Sequence, residues 1–91
     1  MEKYIIGSNS SGKTRKMLEY ARDNNSIVIC KNPYAMEEKA KNYGIFGLRF
    51  VKYNEVDSST LSGESVAVDE LNNFFEYCYG ANLNSFTMTV D

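Results

Sequence analysis

The chain lacks histidine and tryptophan, and it has only two cysteines among its 91 residues. Cys30 and Cys78 do not have metal-ligand spacing, which excludes a structural zinc site. Both lie in apolar stretches, "IVIC" and "FFEYCY", so we expect both thiols to be buried, in a reducing compartment. Because the commonest general base is absent, any acid–base catalysis has to use carboxylates.

Long apolar runs and a strong net charge are also absent. No run approaches the roughly 20 residues of a membrane span, and the N-terminus lacks the apolar core of a signal peptide. We therefore expect a cytoplasmic protein without a membrane partner. A net charge of -2 gives no global reason to bind nucleic acid. The length predicts one domain covering residues 1–91.

The stretch "GSNSSGKT" fits the pattern G-x-x-x-x-G-K-[ST], between a predicted strand over residues 3–6 and a predicted helix over residues 13–23. Backbone amides of such a loop form a nest for anions, and the helix dipole adds to the attraction. Lys13 would reach the β- and γ-phosphates, and the Thr14 hydroxyl would ligate Mg²⁺. The predicted phosphate-binding residues are Gly7, Ser8, Asn9, Ser10, Ser11, Gly12, Lys13, Thr14 and Arg15.

A second motif begins with the apolar residues 66–68 and ends in Asp69 and Glu70. This order is typical of a buried strand that delivers a carboxylate to the carboxyl edge of a sheet. Asp69 would hold Mg²⁺ through water, and Glu70 would accept a proton from an attacking water or hydroxyl. An acidic pair that simply stabilises the start of a helix is the alternative interpretation.

The rest of the chain alternates strand and helix signals. Strands are predicted over residues 27–30 and 48–53, and a helix over 33–43 begins at Asn32-Pro33 and stops at Gly44. The polar connection over 54–65 has room for one short helical turn, a helix ending at Gly80 follows the acidic pair, and "NSFTMTV" predicts a fifth strand. The expected fold is a three-layer α/β/α sandwich with a mainly parallel five-stranded sheet.

Together, "GSNSSGKT" and "SVAVDE" resemble the Walker A and Walker B motifs of P-loop NTPases. The Asp-Glu ending is similar to the branch that has a catalytic glutamate and an added strand. That resemblance implies Mg²⁺ as cofactor and ATP or GTP as substrate. It also implies that the last strand lies between Ile5 and Val68 and carries a polar sensor, Thr87 or Thr89.

Two subfamilies resemble the chain more closely. "IIGSNSSGKTRKMLEYAR", "KNP" and "VDEL" are similar to bacterial-type thymidine kinases, but the cysteine-ligated zinc lobe of those enzymes has no counterpart here. We favour the resemblance to minimal ATPases with helicase- or packaging-like cores, as encoded by phages, in which an arginine finger often assists. Of the arginines 15, 22 and 49, only Arg15 adjoins the loop. The predicted function is hydrolysis of ATP or GTP, with a nucleotide-gated interaction module and a nucleoside kinase as alternatives.

Partners are predicted from three further features. The predicted first strand would be an exposed sheet edge, which favours self-association or a protein partner covering residues 1–6. The aromatic residues Phe74, Phe75, Tyr77 and Tyr79 are expected to be core, with a stacking platform for bases as the alternative. The lysines at 31, 39, 41 and 52 either line one face or are ordinary solvated charges, so nucleic acid stays open as a partner.

Overall fold

Helices and strands alternate along residues 12–87, the part of the chain that the computed structural model describes. The elements are α1 (Lys13–Asp23), β1 (Ile27–Cys30), α2 (Pro33–Asn42), β2 (Arg49–Lys52), a 3-10 turn (Tyr53–Glu55), α3 (Ser58–Leu61), β3 (Val66–Val68) and α4 (Leu71–Tyr79). The short α3 is the helical turn expected in the polar connection.

The three strands form a parallel sheet in the order β2-β1-β3. Val28 of β1 lies opposite Phe50 on one side and Ala67 on the other. All four residues of β1 are buried, as the continuous apolar run "IVIC" predicts for a central strand covered on both faces. Because all strands run in the same direction, their carboxyl ends meet at one edge of the sheet.

The hydrophobic core lies on one face of this sheet. Val28 and Cys30 point to that face, because alternate residues of a strand share a face. They form a single cluster with residues of both flanking helices and the segment after α2: Met17, Leu18, Ala21, Met36, Ala40 and Ile45. The helices α1 and α2 therefore pack side by side on the same face.

The ends of the helices follow the predicted capping signals. The Asn32 side chain accepts a hydrogen bond from the Ala35 amide at 3.2 Å, and Pro33 occupies the first helical position. Gly44 has φ of 76° just beyond α2, and Gly80 has φ of 66° at the end of α4. These left-handed positions allow the chain to leave each helix without steric strain.

The prediction of a five-stranded, three-layer sandwich is wrong. Residues 12–87 contain a three-stranded sheet, and a domain of this size has too few residues to build the larger architecture. Residues 82–87, which include the start of the expected fifth strand, form no strand, and Phe86 is 55% exposed. These residues neither join the hydrogen-bonded ladder nor bury the Phe86 side chain, so they lack both interactions that stabilise a strand. The predicted first strand, residues 3–6, lies outside the described residues.

Burial on the β3–α4 side is lower than the sequence predicts. Val66 is exposed and the other two residues of β3 are only half-buried. Within α4 no residue is buried: Phe74 and Phe75 are half-buried, whereas Tyr77 is 57% and Tyr79 72% exposed. The expectation that this aromatic cluster is core is therefore wrong for the two tyrosines.

The two cysteines also differ. Cys30 is fully buried as predicted, but Cys78 is exposed. The reason is that α4 packs through part of one face against the 3-10 turn, with Phe74 meeting Tyr53 at 5.2 Å between ring centroids. Local apolar sequence around Cys78 does not report on which side of the helix the thiol lies.

Candidate functional site

The N-terminus of α1 supplies the described part of the phosphate motif. Gly12 has φ of 80°, a left-handed conformation that would cost a residue with a Cβ about 1–2 kcal/mol, and no atom within 4 Å would obstruct a Cβ there. The glycine is therefore required by backbone geometry rather than by space. Residues 7–11 of the motif lie outside the described part of the chain.

The first turn of α1 carries an unusual charge pattern. It contains Lys13, Arg15 and Lys16 and no acidic residue. Acidic side chains normally stabilise this end of a helix, where the dipole is positive, and cations are unfavourable there. Gly12 at the N-cap position has no side chain with which to cap the first amides. Positive charge and amide donors are thus concentrated where an anion would offset both costs.

The carboxyl end of β3 delivers the acidic pair to the same place. The Asp69 amide still donates to the Ile29 carbonyl at 2.9 Å, so this residue continues the parallel ladder. Glu70 then adopts φ of 55°, which is rare for a residue other than glycine, and its carbonyl accepts the first hydrogen bond of α4 from Phe74. Backbone strain at such a position is commonest at functional sites.

Two motifs that are far apart in sequence meet here. The Nζ atom of Lys13 lies 3.9 Å from Oε1 of Glu70, and the two side chains are 24% and 44% exposed. Since both groups are partly solvated, the pair contributes little to stability. It does fix the phosphate-motif lysine and the candidate base on one side of the carboxyl edge.

Burial and the neighbouring charges together set the pKa of Asp69. Burial raises the pKa of this half-buried carboxyl, the neighbouring Glu70 charge raises it further, and the charges of Lys39 and Lys13 lower it. The net direction is upward, so the carboxylate is held in a setting that lacks full compensation for its charge. A cation bound beside Asp69 would stabilise its ionised form.

Tyr53 holds the turn that carries the acidic pair. Its hydroxyl donates to the Asp69 carbonyl at 2.7 Å and lies 3.4 Å from the Glu70 carbonyl. Burial and the neighbouring Asp69 charge raise the pKa of this tyrosine to about 12, so it stays a donor at any physiological pH. Sequence reasoning missed this residue, although its signal is readable: a tyrosine directly follows the strand β2.

The Cys30 thiol, which ends the strand β1, is unreactive. Burial, followed by the charge of Asp69, raises the pKa of Cys30 to about 11. Because the thiolate is the reactive form, this cysteine behaves as a small core residue.

Of the three arginines, only Arg15 adjoins the candidate phosphate site. Its guanidinium lies 3.9 Å from Glu19 and 5.5 Å from the centre of the Tyr43 ring. Arg22 pairs with Asp23 at the end of α1, and Arg49 pairs with Glu64 beside the amino end of β2. The latter two are too remote to act as fingers within one copy of the chain.

The donors Thr14 and Asp69 fit the Mg²⁺ role predicted for them by their chemistry. Mg²⁺ takes oxygen ligands and usually keeps several waters beside one or two protein groups and the substrate phosphates. A half-buried carboxylate whose pKa is raised and a half-buried hydroxyl at the start of α1 are such groups. Within residues 12–87 no three acidic or cysteine side chains cluster to hold a metal by themselves, so the phosphates would have to complete the shell.

Three predictions remain: the sensor threonines Thr87 and Thr89, and the partner-covered edge. Thr87 is exposed and lies outside any strand, away from the sensor position expected for it, and Thr89 lies beyond the described residues. The partner-covered edge over residues 1–6 is likewise outside them.

Protein-family models, curated proteins and solved structures all give no match. None of the helices described here combines the length and apolar character needed to cross a membrane. The interpretation of the site therefore depends on its residues and geometry.

Proposed function

We propose that the chain binds a Mg²⁺-nucleoside triphosphate, ATP or GTP, and hydrolyses it slowly as a Walker-type NTPase. The observation that carries this proposal is the 3.9 Å approach of Lys13 to Glu70. A lysine at the end of a glycine-rich motif and a carboxylate at the end of a parallel strand meet at the edge where α/β sheets bind ligands.

Binding would draw on the unusual first turn of α1. A triphosphate neutralises the concentrated positive charge of Lys13, Arg15 and Lys16 and accepts from the uncapped amides. Lys13 would exchange its exposed carboxylate partner for phosphate oxygens. Because the Lys13–Glu70 pair is weak, this exchange costs little.

Hydrolysis would then use the freed Glu70. With Lys13 turned to the phosphates, Glu70 can accept a proton from a water aligned with the γ-phosphate. Asp69 and Thr14 would hold Mg²⁺, which when bound neutralises charge on the phosphates. The hydrogen bond from Tyr53 keeps the Asp69–Glu70 turn in place.

The decisive test compares Lys13→Ala with Lys41→Ala, which removes an exposed lysine of α2 that pairs with Glu37 and is not part of the proposed site. Binding of Mg²⁺-ATP and Mg²⁺-GTP is measured by calorimetry and phosphate release by a colorimetric assay. We expect Lys13→Ala to weaken binding at least about 100-fold, since its charge-assisted contacts to the phosphates are lost, and Lys41→Ala to change it less than about 5-fold. Equal losses in both variants would contradict a specific site.

Turnover separates the proposal from its alternatives. Binding that is lost in Lys13→Ala without phosphate release in any condition would make the chain a nucleotide-gated interaction module. Release only when a nucleoside is supplied, with phosphate found on that nucleoside, would make it a kinase. Stimulation of release by single- or double-stranded DNA would support a helicase- or packaging-like role.

A further inference from the structure

A shallow groove of about 240 Å³ opens at the carboxyl edge of the sheet, beside the candidate phosphate site. Its lining residues come from the ends of β1 and β2, from the 3-10 turn and from α4: Lys31, Lys52, Tyr53, Asn54 and Tyr77. The proposed NTPase chemistry uses none of these side chains directly, apart from the hydroxyl of Tyr53. The groove therefore stands as a separate feature of the same edge.

The groove presents two cations that lack carboxylate partners within residues 12–87. Lys31 follows β1 and Lys52 ends β2, so adjacent parallel strands bring them to the same edge. Neither forms an ion pair with a described residue, whereas Lys13 and Lys41 both do. Two cations that line one groove favour an anionic ligand.

The wall of the groove is aromatic. The ring of Tyr53 is buried and forms the inner side, and the ring of Tyr77 stands 5.9 Å from it, tilted by 50°. Tyr77 keeps 57% of its surface exposed although it is on the apolar side of α4, so its ring is accessible to a ligand. Asn54 adds both a hydrogen-bond donor and an acceptor.

From this arrangement we infer that the groove binds one nucleotide unit, with its base stacked on Tyr77 and its phosphate between Lys31 and Lys52. Ligand pockets for drug-sized molecules measure about 300–1,000 Å³, so the smaller volume here fits a single nucleotide rather than a dinucleotide cofactor. Stacking on an exposed tyrosine beside unpaired lysines is how proteins hold single-stranded nucleic acid without reading its sequence. The ligand is a free mononucleotide or one nucleotide of a single strand.

The test measures binding of deoxyadenosine monophosphate and of a short oligodeoxyadenylate, each in EDTA so that Mg²⁺-dependent binding at the phosphate motif is suppressed. The variant Tyr77→Ala should weaken binding roughly 5- to 150-fold, the range found for loss of one base–aromatic stack, while Tyr77→Phe keeps the ring and the affinity. The double variant Lys31→Ala/Lys52→Ala should weaken binding at least about 10-fold and flatten its dependence on salt.

Matched controls come from the same elements. Tyr79 is 72% exposed on α4 but packs on Phe75, outside the groove, so Tyr79→Ala should bind normally. Lys41→Ala removes a lysine of α2 that pairs with Glu37 and should also bind normally. Affinity for the monophosphate equal to that for the oligonucleotide identifies a free nucleotide as the ligand, and binding of the oligonucleotide alone identifies a strand.

The inference about the groove and the proposed function of the phosphate motif can be refuted separately. Binding that persists in Lys13→Ala and is lost in the groove variants supports the inference even if no phosphate release is ever detected. Binding lost in Lys13→Ala and unchanged in Tyr77→Ala would overturn it, because the ligand would then occupy the phosphate motif. Absence of any binding in EDTA, or equal losses in Tyr77→Ala and Tyr79→Ala, would also overturn it.

Discussion

The two ends of the parallel sheet contain similar residue types, but they differ in how many of their polar groups have a partner. At the amino end, the Ser26 and Ser65 hydroxyls share a hydrogen bond of 2.8 Å, and Arg49 is held by both Glu64 and the Asn25 carbonyl. Most polar groups there are already partnered. We therefore assign only a structural role to the polar groups at the amino end.

The carboxyl end keeps its charged groups uncompensated. Burial raises the pKa of Asp69, and Lys31 and Lys52 have no acidic partner within residues 12–87. Such features cost stability and persist where a ligand would offset them. Incomplete compensation at one end only, rather than the number of charges, therefore marks that end as the candidate site.

The largest expected difference between the two ends lies in catalysis. Glu70→Gln should lower kcat for phosphate release by about 10²- to 10⁴-fold, the usual contribution of a general base, because the amide accepts no proton. Nucleotide affinity should change only a few-fold. Phosphate release and calorimetry on the same preparation measure both quantities.

Glu64→Gln is the matched control at the amino end. Glu64 is also an exposed acidic residue paired with a cation, here Arg49 at 3.5 Å. The turnover of the Glu64→Gln variant should equal that of the unmodified chain. A fall in kcat of similar size in both variants would mean that the two ends are not functionally distinct.

The next effect concerns the tie between Tyr53 and the acidic turn. Tyr53→Phe leaves the ring in place but removes the donor to the Asp69 carbonyl, which should cost about 1–2 kcal/mol of unfolding free energy. For a domain of this size that lowers Tm by roughly 4–8 °C per kcal/mol. Thermal unfolding followed by circular dichroism measures the loss.

A positioning role predicts more than lost stability. With the turn loosened, kcat should fall while KM for the nucleotide stays constant, because Lys13 is untouched. Tyr34→Phe serves as control, since Tyr34 is 78% exposed and the substitution should alter neither Tm nor kcat. An unchanged kcat in Tyr53→Phe at a temperature well below its Tm would reduce Tyr53 to a structural residue.

Local signals in the sequence predicted the elements of the fold better than its architecture. The N-cap Asn32, the stop at Gly44 and the apolar run of β1 act within a few residues, and each is confirmed. The number of strands depends instead on which segments find a neighbouring edge and a face to cover. Residues 84–87 begin the segment that was predicted as a fifth strand, but they form none, because they do not pair with a neighbouring strand.

For the same reason, the candidate site was only partly predictable from the sequence. Asp69 and Glu70 were identified from the apolar run that precedes them, and the structure brings Glu70 to Lys13. Their roles in binding and catalysis stay predictions. The role of Tyr53 was not predicted, and Tyr77, Lys31 and Lys52 were named only as alternatives without a link between them, because contacts between β2, the 3-10 turn and α4 depend on tertiary packing that residue spacing does not encode.

A smaller effect, with the opposite sign, is expected at Asp69. The pKa of this carboxyl is raised by folding, so its ionised form at neutral pH opposes folding. Asp69→Asn should therefore raise the unfolding free energy without nucleotide, by on the order of 1 kcal/mol, while weakening Mg²⁺-nucleotide binding. Thermal unfolding at neutral pH, with and without Mg²⁺-ATP, tests both parts.

The pH dependence of the stability is a second check on the direction of the Asp69 effect. As pH falls through the raised folded pKa, Asp69 becomes protonated and the unmodified chain gains stability relative to Asp69→Asn; the gain is complete below the unfolded pKa, near 3.8. The Tm difference between the two proteins should thus shrink on acidification. A difference that grows towards low pH would show that the carboxylate is stabilised by folding, contrary to its burial.

The smallest effect is expected at the compensated end. Arg49→Gln removes an ion pair in which the arginine side chain is 48% exposed, and it removes the hydrogen bond to the Asn25 carbonyl at 3.3 Å. Exposed pairs contribute about 0–1 kcal/mol, so Tm should fall by at most about 8 °C, and by less at high salt. Affinity for Mg²⁺-ATP and kcat should not change, because this end faces away from the carboxyl edge. Loss of turnover in Arg49→Gln would contradict the division between the ends and would point instead to an arginine that acts on the site of a second copy of the chain.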